Sequence, residues 1–522
     1  MFLRKEQDRQ RLQAELDLAK TQNERNRMGQ FATPFPLALE ILRYAKQLTP
    51  KGTPIKFFDP GLGTGAFYSA LLQTFSAAQI QSAVGCEIDP HYGDAAIQLW
   101  SETGLTVRLQ DYTRSPSPQA LANLLICNPP YVRHHHILNG EKVRIQAASL
   151  AACGINFGGL AGLYCHFLGL SHSRMAEGGI AGWLIPSEFM DVNYGVAVKE
   201  YLLSKVTLLR IHRFNPEEVQ FLDALVSSSV VWFKKEKPPV DHEVEFSFGG
   251  TLLEPKVSRR VSVKDLREEA KWTRFPLAPT RALNTAPVLS DFFSIRRGLA
   301  TGDNDFFIMT PEEIAARNLP QEVFTPVLPS PRFMKQTVIP ADVQGNPDIE
   351  KPLFLLDCRL PEDEVKGRYP ALWKYFEEGK EKGVADRYLC RHRSPWYVQE
   401  NRPAPPFLCT YIGRSNKSGK PFRFILNHSR ATITNVYLAL YPKAHLARAL
   451  ASDPVLNEKV WEVLDRICPQ TMLSEGRVYG GGMHKLEPKE LANVPVPELS
   501  EYLPNSVFVW DVKSTESRVT AA

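Results

Sequence analysis

The chain is short of most features that would place it outside the cell interior. No apolar run approaches the roughly 18 residues that a membrane helix needs. The opening stretch, MFLRKEQDRQRLQAELDLAKTQNERNR, is charged throughout and lacks the apolar core and cleavage site of a secretory signal. Eight cysteines occur, none in a CxxC pair, so neither a zinc ribbon nor a disulfide scaffold is indicated. They read as reduced, structural thiols in a cytoplasmic protein. Net charge is low too, +5 over 522 residues, with +3 of it in residues 1–240. A charge so small neither demands nor excludes a polyanionic partner, because such footprints are local. No internal repeat is visible.

What is present is a globular composition, 43% hydrophobic and 23% charged, on a chain long enough for two or three domains. Residues 1–28 read as a polar helix. From residue 29 to about 240, short apolar runs alternate with helical patterns. IKFFDP, SAVGCEID, TVRLQD, NLLIC, GIAGWLIPS, VTLLRIHRF and ALVSSSVVWFKK read as strands, with helices such as GAFYSALLQTF and YGDAAIQLW between them. That alternation predicts a doubly wound α/β sheet. KKEKPPVDHE then marks a charged, proline-containing boundary. A mixed α+β domain is expected over 241–510, and a frayed tail over 511–522.

The first strand runs into FFDPGLGTGAF, which sets Asp59, Pro60, Gly61, Gly63 and Gly65 between a strand and a helix. Glycines there allow a tight turn and close approach of backbone to a ligand. Glu87, followed by Ile88, stands 22 residues after Gly65 at the end of the next strand, where a carboxylate accepts hydrogen bonds from ribose hydroxyls. The spacing is G-x-G-x-G, not the G-x-G-x-x-G of dinucleotide enzymes. An acid at Asp59 disfavours phosphate and suits a cationic ligand, such as the amino group or sulfonium of S-adenosylmethionine. Asp111, after the third strand, suits the adenine amino group of such a cofactor, and an aspartate in that place also caps a helix. Tyr112 is placed to pack on the adenine or at an interface.

LLICNPPYVRHHH ends the fourth strand. Ligands bind outside the carboxyl ends of such strands. Pro129 and Pro130 stiffen the backbone and remove two amide donors, so that the Asn128 side-chain carbonyl and a backbone carbonyl form a pair of acceptors. The pair suits a planar amine, and Tyr131 offers a face on which its ring stacks. His134, His135 and His136 do not read as a metal site, because adjacent side chains diverge; no metal is expected.

NPPY after a strand, with DPGLGTG upstream, resembles the amino-methyltransferases that use S-adenosylmethionine. The earlier GQFATP resembles the cofactor segment that comes first in the gamma-class adenine-N6 DNA methyltransferases of restriction–modification systems. FSIRRGLATGDNDFFI and GGGMHKLEPKELANVPVP are similar to C-terminal segments of that family. The resemblance implies a Rossmann-like methyltransferase sheet with a C-terminal target-recognition domain. It also implies methyl transfer to the N6 amine of an adenine flipped out of duplex DNA, protecting host DNA from a partner endonuclease. It adds Phe31, Thr33 and Pro34 to the cofactor site and Phe221 as a second ring against the extruded base; a core phenylalanine is the other reading of Phe221.

Between Ala385 and Arg430 nine Lys/Arg face two acids, interleaved with aromatics. Arg391, Arg393, Arg414, Lys417, Lys420 and Arg423, with Arg133 beside the NPPY turn, are the expected DNA contacts. Alternatives are an RNA or protein-glutamine methyltransferase, or a bifunctional restriction–modification enzyme. A monomer is expected, with a dimer as the other possibility.

Overall fold

The computed structural model describes residues 2–115, 120–215, 227–276, 286–414, 420–479 and 483–502. The chain divides into two compact units: Met1–Leu283 with Tyr479–Gly482, and Asn284–Val478 with Met483–Ala522.

The first unit is built on a nine-stranded sheet. In chain order its strands are β1 (Ile55–Asp59), β2 (Ile80–Glu87), β3 (Leu105–Leu109), β4 (Ala122–Cys127), β5 (Met175–Pro186), β6 (Thr207–Arg213), β7 (Ser228–Lys234), β8 (Glu243–Gly250) and β9 (Pro255–Ser262). Their order across the sheet is β3-β2-β1-β4-β5-β7-β6-β8-β9. The five strands from β3 to β5 are parallel, as the alternating pattern predicts, and β7 enters antiparallel between β5 and β6. Helices cover both faces, which is why β1 and β4 are buried at nearly every position. Phe57, Leu124 and Ile126 share one core with α3 (Phe35–Leu48), α4 (Ala66–Thr74) and α5 (Pro90–Trp100). Phe58, Leu125 and Cys127 share the other with α6 (Asn139–Cys153), α7 (Leu163–Ser171) and α8 (Gly195–Ser204). This is the expected Rossmann-like α/β fold.

Two expectations need correction. KKEKPPVDHE does not end the first unit: it is the connection from β7 to β8, and β8 and β9 extend the same sheet. Nor is the N-terminal segment one separate helix. It forms α1 (Phe2–Leu18) and α2 (Gln22–Met28), the latter opened by a Thr21–Glu24 capping box and closed by Gly29 in the left-handed region, φ 67°. Helix α1 docks on α4 and α5 through polar groups. The Arg9 guanidinium pairs with Glu6 at 2.7 Å, both are buried, and Arg9 Nη1 donates to Thr64 Oγ1 at 3.0 Å.

The second unit is mixed α+β. A five-stranded sheet runs Phe293–Arg297, Tyr437–Pro442, Phe407–Thr410, Phe424–Asn427 and Val338–Ile339 in spatial order. A three-stranded antiparallel sheet of Ile308–Met309, Leu353–Leu356 and Phe324–Val327 accompanies it. Helices Pro370–Glu381 and Leu456–Arg466 bury Leu372 and Phe376, and Val460 and Leu464, respectively. No helix among the described residues is long and apolar enough to cross a membrane.

Candidate active site

Strand β1 ends at Asp59, and the glycine turn reverses the chain into α4. Gly61 N donates to Asp59 Oδ1 at 3.0 Å, and Gly63 N to Glu87 Oε2 at 2.8 Å. Glu87 Oε1 accepts from Asp89 N at 2.9 Å. The carboxylate at the tip of β2 is thus fastened to the glycine turn while keeping lone pairs for further donors. Gly65 begins α4 at φ 90°, and a Cβ there would stand 2.6 Å from Trp100 Nε1, which donates to Thr64 O. Only glycine fits that position.

Asp59 itself is fully buried and does not line the cavity described below, contrary to expectation. Burial pushes its carboxyl up to about 8, with the Gly61 N–H opposing the rise and the neighbouring Glu87 charge adding to it. Its Oδ2 is buried without a partner. Asp59 braces the turn from behind.

Strand β4 delivers Asn128 beside that turn. Asn128 Nδ2 donates to Phe31 O at 3.0 Å and to Thr33 Oγ1 at 3.1 Å. A flipped amide would set Oδ1 against the Phe31 carbonyl, two acceptors face to face. The orientation is therefore dictated by the partners. It leaves Oδ1 buried and without a partner. Buried polar atoms are nearly always paired, so this orphan marks a place for a donor. Tyr131 N donates to Gly29 O at 3.3 Å, and a Cβ on Gly29 would lie 2.4 Å from that nitrogen. Tyr131 Oη donates to Leu184 O at 3.0 Å, and its ring lies 5.7 Å from that of Phe31. The tyrosine is held at both ends. Phe221 lies outside the described residues.

A cavity of about 560 Å³ opens between these elements. Of the expected residues, Phe31, Pro60, Gly61, Gly63, Glu87, Ile88, Asp111, Tyr112, Asn128 and Pro130 line it. Thr33, Pro34, Gly65, Pro129 and Tyr131 are not among its lining residues. Asp111 is engaged within the protein. Its Oδ1 accepts from Thr113 N and Thr113 Oγ1 at 2.8 and 2.7 Å, and its Oδ2 lies 3.4 Å from Arg114 Nε. It is the cap of the 3₁₀ turn Tyr112–Arg114. Tyr112 is a core ring between Phe58 and Phe167, with the Arg174 guanidinium 4.2 Å from its centre.

Sequence reasoning missed the contribution of the N-terminal helices. Gln13, Asp17, Arg27 and Gln30 line the cavity. Gln13 Oε1 accepts from Thr64 Oγ1, Asp17 Oδ1 from Tyr92 Oη, and Asp89 pairs with Lys20 and Gln30. The signal was a polar stripe: Glu6, Arg9, Gln13 and Asp17 recur at helical spacing. His134–His136 form a 3₁₀ turn whose last residue reaches the cavity lining, and Arg133 before it is exposed.

The basic residues of the second unit separate into two kinds. Arg393 is internal: Nη1 donates to Thr301 O at 2.7 Å and Nη2 to Ala300 O at 2.6 Å. Arg423 likewise donates to the carbonyls of Pro331, Met334 and Lys335. Lys420 is held by Asp465. Arg391 and Arg414 are exposed, and Lys417 lies outside the described residues. Guanidinium groups that satisfy clustered carbonyls are engaged in holding the fold.

With the geometry in place, comparison with known proteins is informative. Residues 123–220 match the Eco57I restriction-modification methylase family, and residues 270–520 match the C-terminal domain of type II methyltransferase M.Eco57I. The first match spans the NPPY turn. The chain is 27% identical over 492 residues to the type II methyltransferase M.XamI of Xanthomonas campestris pv. amaranthicola, covering 91% of this chain and 86% of that one. It is 25% identical over 489 residues to M.AccI of Acinetobacter calcoaceticus, covering 90% and 85%. The solved type IIL restriction-modification enzyme MmeI, in complex with DNA, is 14% identical with a TM-score of 0.49, covering 80% of this chain and 60% of MmeI; a likeness that loose says nothing of activity. Over most of its length, then, the chain is similar to type II restriction–modification methyltransferases.

Proposed function

We propose that the protein transfers a methyl group from S-adenosylmethionine to the N6 amine of an adenine flipped out of duplex DNA, and so shields its host's DNA from a partner restriction endonuclease. The observation that carries this reading is the buried, partnerless Asn128 Oδ1, on an amide fixed by Phe31 and Thr33. An acceptor so oriented suits an N–H donor.

The residues present fit the cofactor. Glu87 keeps lone pairs for ribose hydroxyls, Ile88 gives an exposed apolar edge, and the glycine turn leaves backbone open beside the Asn128 carbonyl. S-adenosylmethionine supplies the activated methyl group. The chain's own part is positioning. Asn128 Oδ1 and the Pro129 carbonyl accept the two hydrogens of the amine, which draws its lone pair out of conjugation with the ring. Tyr131, anchored through Gly29 and Leu184, is the surface against which the base stacks. Extrusion costs a few kcal/mol, and stacking recovers part of it. Once methylated, the nitrogen gives up one of its protons to water, since the amide and carbonyl acceptors are too weakly basic to keep it. The second unit supplies duplex contacts, with exposed Arg391 and Arg414 as candidates.

The test is to incubate the protein with methyl-labelled S-adenosylmethionine and, separately, duplex DNA, RNA or protein, then digest and identify the product. N6-methyladenine in DNA is the expected outcome. Label confined to RNA or protein overturns the reading, and methylcytosine keeps the reaction but corrects the base.

A further inference from the structure

The second unit holds out an aromatic ring that the site described above does not use. Phe333 is 73% exposed, at the tip of a turn in which its N–H donates to Ser330 O at 2.9 Å. The loop beneath it is tightly held. Tyr437 Oη donates to Pro329 O at 2.7 Å; Arg423 Nη2 donates to Pro331 O at 2.8 Å and Met334 O at 2.9 Å, and its Nη1 to Lys335 O at 3.3 Å. Met334, the next residue, is buried with Leu328, Ile339 and Leu408. Four backbone carbonyls and a core side chain thus fix the loop. The backbone that carries the ring is therefore held in place.

The segment itself carries charge of one sign. Between Glu322 and Asp342 there is no acidic residue, and the two basic ones, Arg332 and Lys335, flank the ring and are exposed. A second copy of the chain would take such a ring into an apolar pocket, but would then have to pair two cations beside it. Duplex DNA offers both partners at once, apolar base faces and the phosphates alongside them. Proteins that kink DNA use rings in this way, as wedges at a base step.

We infer that Phe333 is a wedge that enters the DNA duplex at a base step, with Arg332 and Lys335 on the flanking phosphates. The inference rests on the DNA reading proposed above and adds to it a contact residue and its mode. It also gives Arg423 a role different from the one its sequence suggests: it does not reach DNA but stiffens the loop that does.

The test uses the full-length protein and a duplex carrying the sequence at which the wild-type enzyme places its methyl group, with 2-aminopurine placed at successive steps. Wild-type protein is expected to raise the 2-aminopurine signal at one further step, apart from the site of the flipped adenine. Phe333→Ala should abolish that rise and weaken binding about tenfold or more, the loss typical of removing a base-stacking ring, with the salt dependence unchanged. Phe333→Trp should retain both. Arg332→Ala with Lys335→Ala should lower the slope of log affinity against log salt by about 1.8, some 0.9 for each phosphate contact. Phe333→Ala that binds and unstacks DNA as the wild type does overturns the wedge. So does a Phe333→Ala defect confined to self-association. Failure of the wild type to bind any duplex overturns instead the DNA reading on which the wedge depends.

Discussion

Thr33→Val is the perturbation that most directly probes how the reacting amine is held. Two bonds fix the Asn128 amide, from Nδ2 to Phe31 O and to Thr33 Oγ1. Each contributes about 0.5–1.5 kcal/mol net, so together they favour the observed orientation by about 1–3 kcal/mol. Valine keeps the shape of threonine and removes one bond, leaving one N–H of a buried amide unpaired. The acceptor that should meet the substrate is then less firmly aimed. A loss of about 0.5–1.5 kcal/mol converts to turnover slower by about two- to tenfold. Thr33 is not among the residues that line the cavity, so cofactor affinity should not move. The assay is single-turnover methylation, which separates chemistry from product release, beside equilibrium cofactor binding. Thr33→Ser restores the hydroxyl and should restore the rate. Full turnover in the valine variant would show that Phe31 alone orients the amide. An equal loss of cofactor affinity would show that Thr33 acts on the cavity. Either result refutes the reasoning.

Three further outcomes are expected. Asn128→Ala should keep cofactor binding and lose turnover by about 100-fold or more, the scale seen when a preorganised polar partner of a transition state is removed; calorimetric binding beside a methylation assay checks both halves. Arg9→Ala strands the Glu6 carboxylate in a buried site and should lower stability by about 3–5 kcal/mol in urea unfolding. Asp59, raised to about 8 in the fold, keeps its proton there over a pH range in which the unfolded chain gives it up. Its contribution to stability is therefore complete below about pH 4 and falls away as pH rises to about 8. Asp59→Asn should flatten that part of the stability–pH profile, and an unchanged profile would assign the dependence to other groups.

Much of the first unit was legible because its chemistry and its periodicity agree. Apolar runs bounded by glycine turns give strands buried on both faces, and Asn128 follows the fourth of them directly. What escaped was whatever does not announce itself by apolar pattern. Helix α1 docks through Glu6, Arg9 and Gln13, and a search for a hydrophobic stripe passes over it. The prolines near residue 238 look like a linker and form a strand connection, because turn residues serve both purposes. Asp59 stands where a ligand-binding acid would stand, but its carboxyl turns inward to Gly61. Asp111 caps a turn and also lines the cavity. In the second unit, basic residues among aromatics suggest a nucleic-acid surface, and local sequence cannot tell an arginine facing solvent from one that gathers carbonyls. Arg393 and Arg423 are of the second sort. Phe333 lies in a segment with no pattern to draw attention to it; exposure on a fixed loop becomes visible only in three dimensions.

The five residues from Gly29 to Thr33 serve two neighbours at once. Gly29 and Phe31 form part of the cavity wall, and the same short stretch of backbone carries the bonds that hold Tyr131 and Asn128. A molecule settling into the cavity and a base settling on the NPPY turn would therefore both bear on one strip of chain. Linkage requires such an effect to run in both directions and by the same factor. A strip already ordered by one occupant has less freedom left to lose to the other. On the function proposed above, the target would then be held more firmly with methyl donor bound than without it, and idle occupation of DNA would be brief.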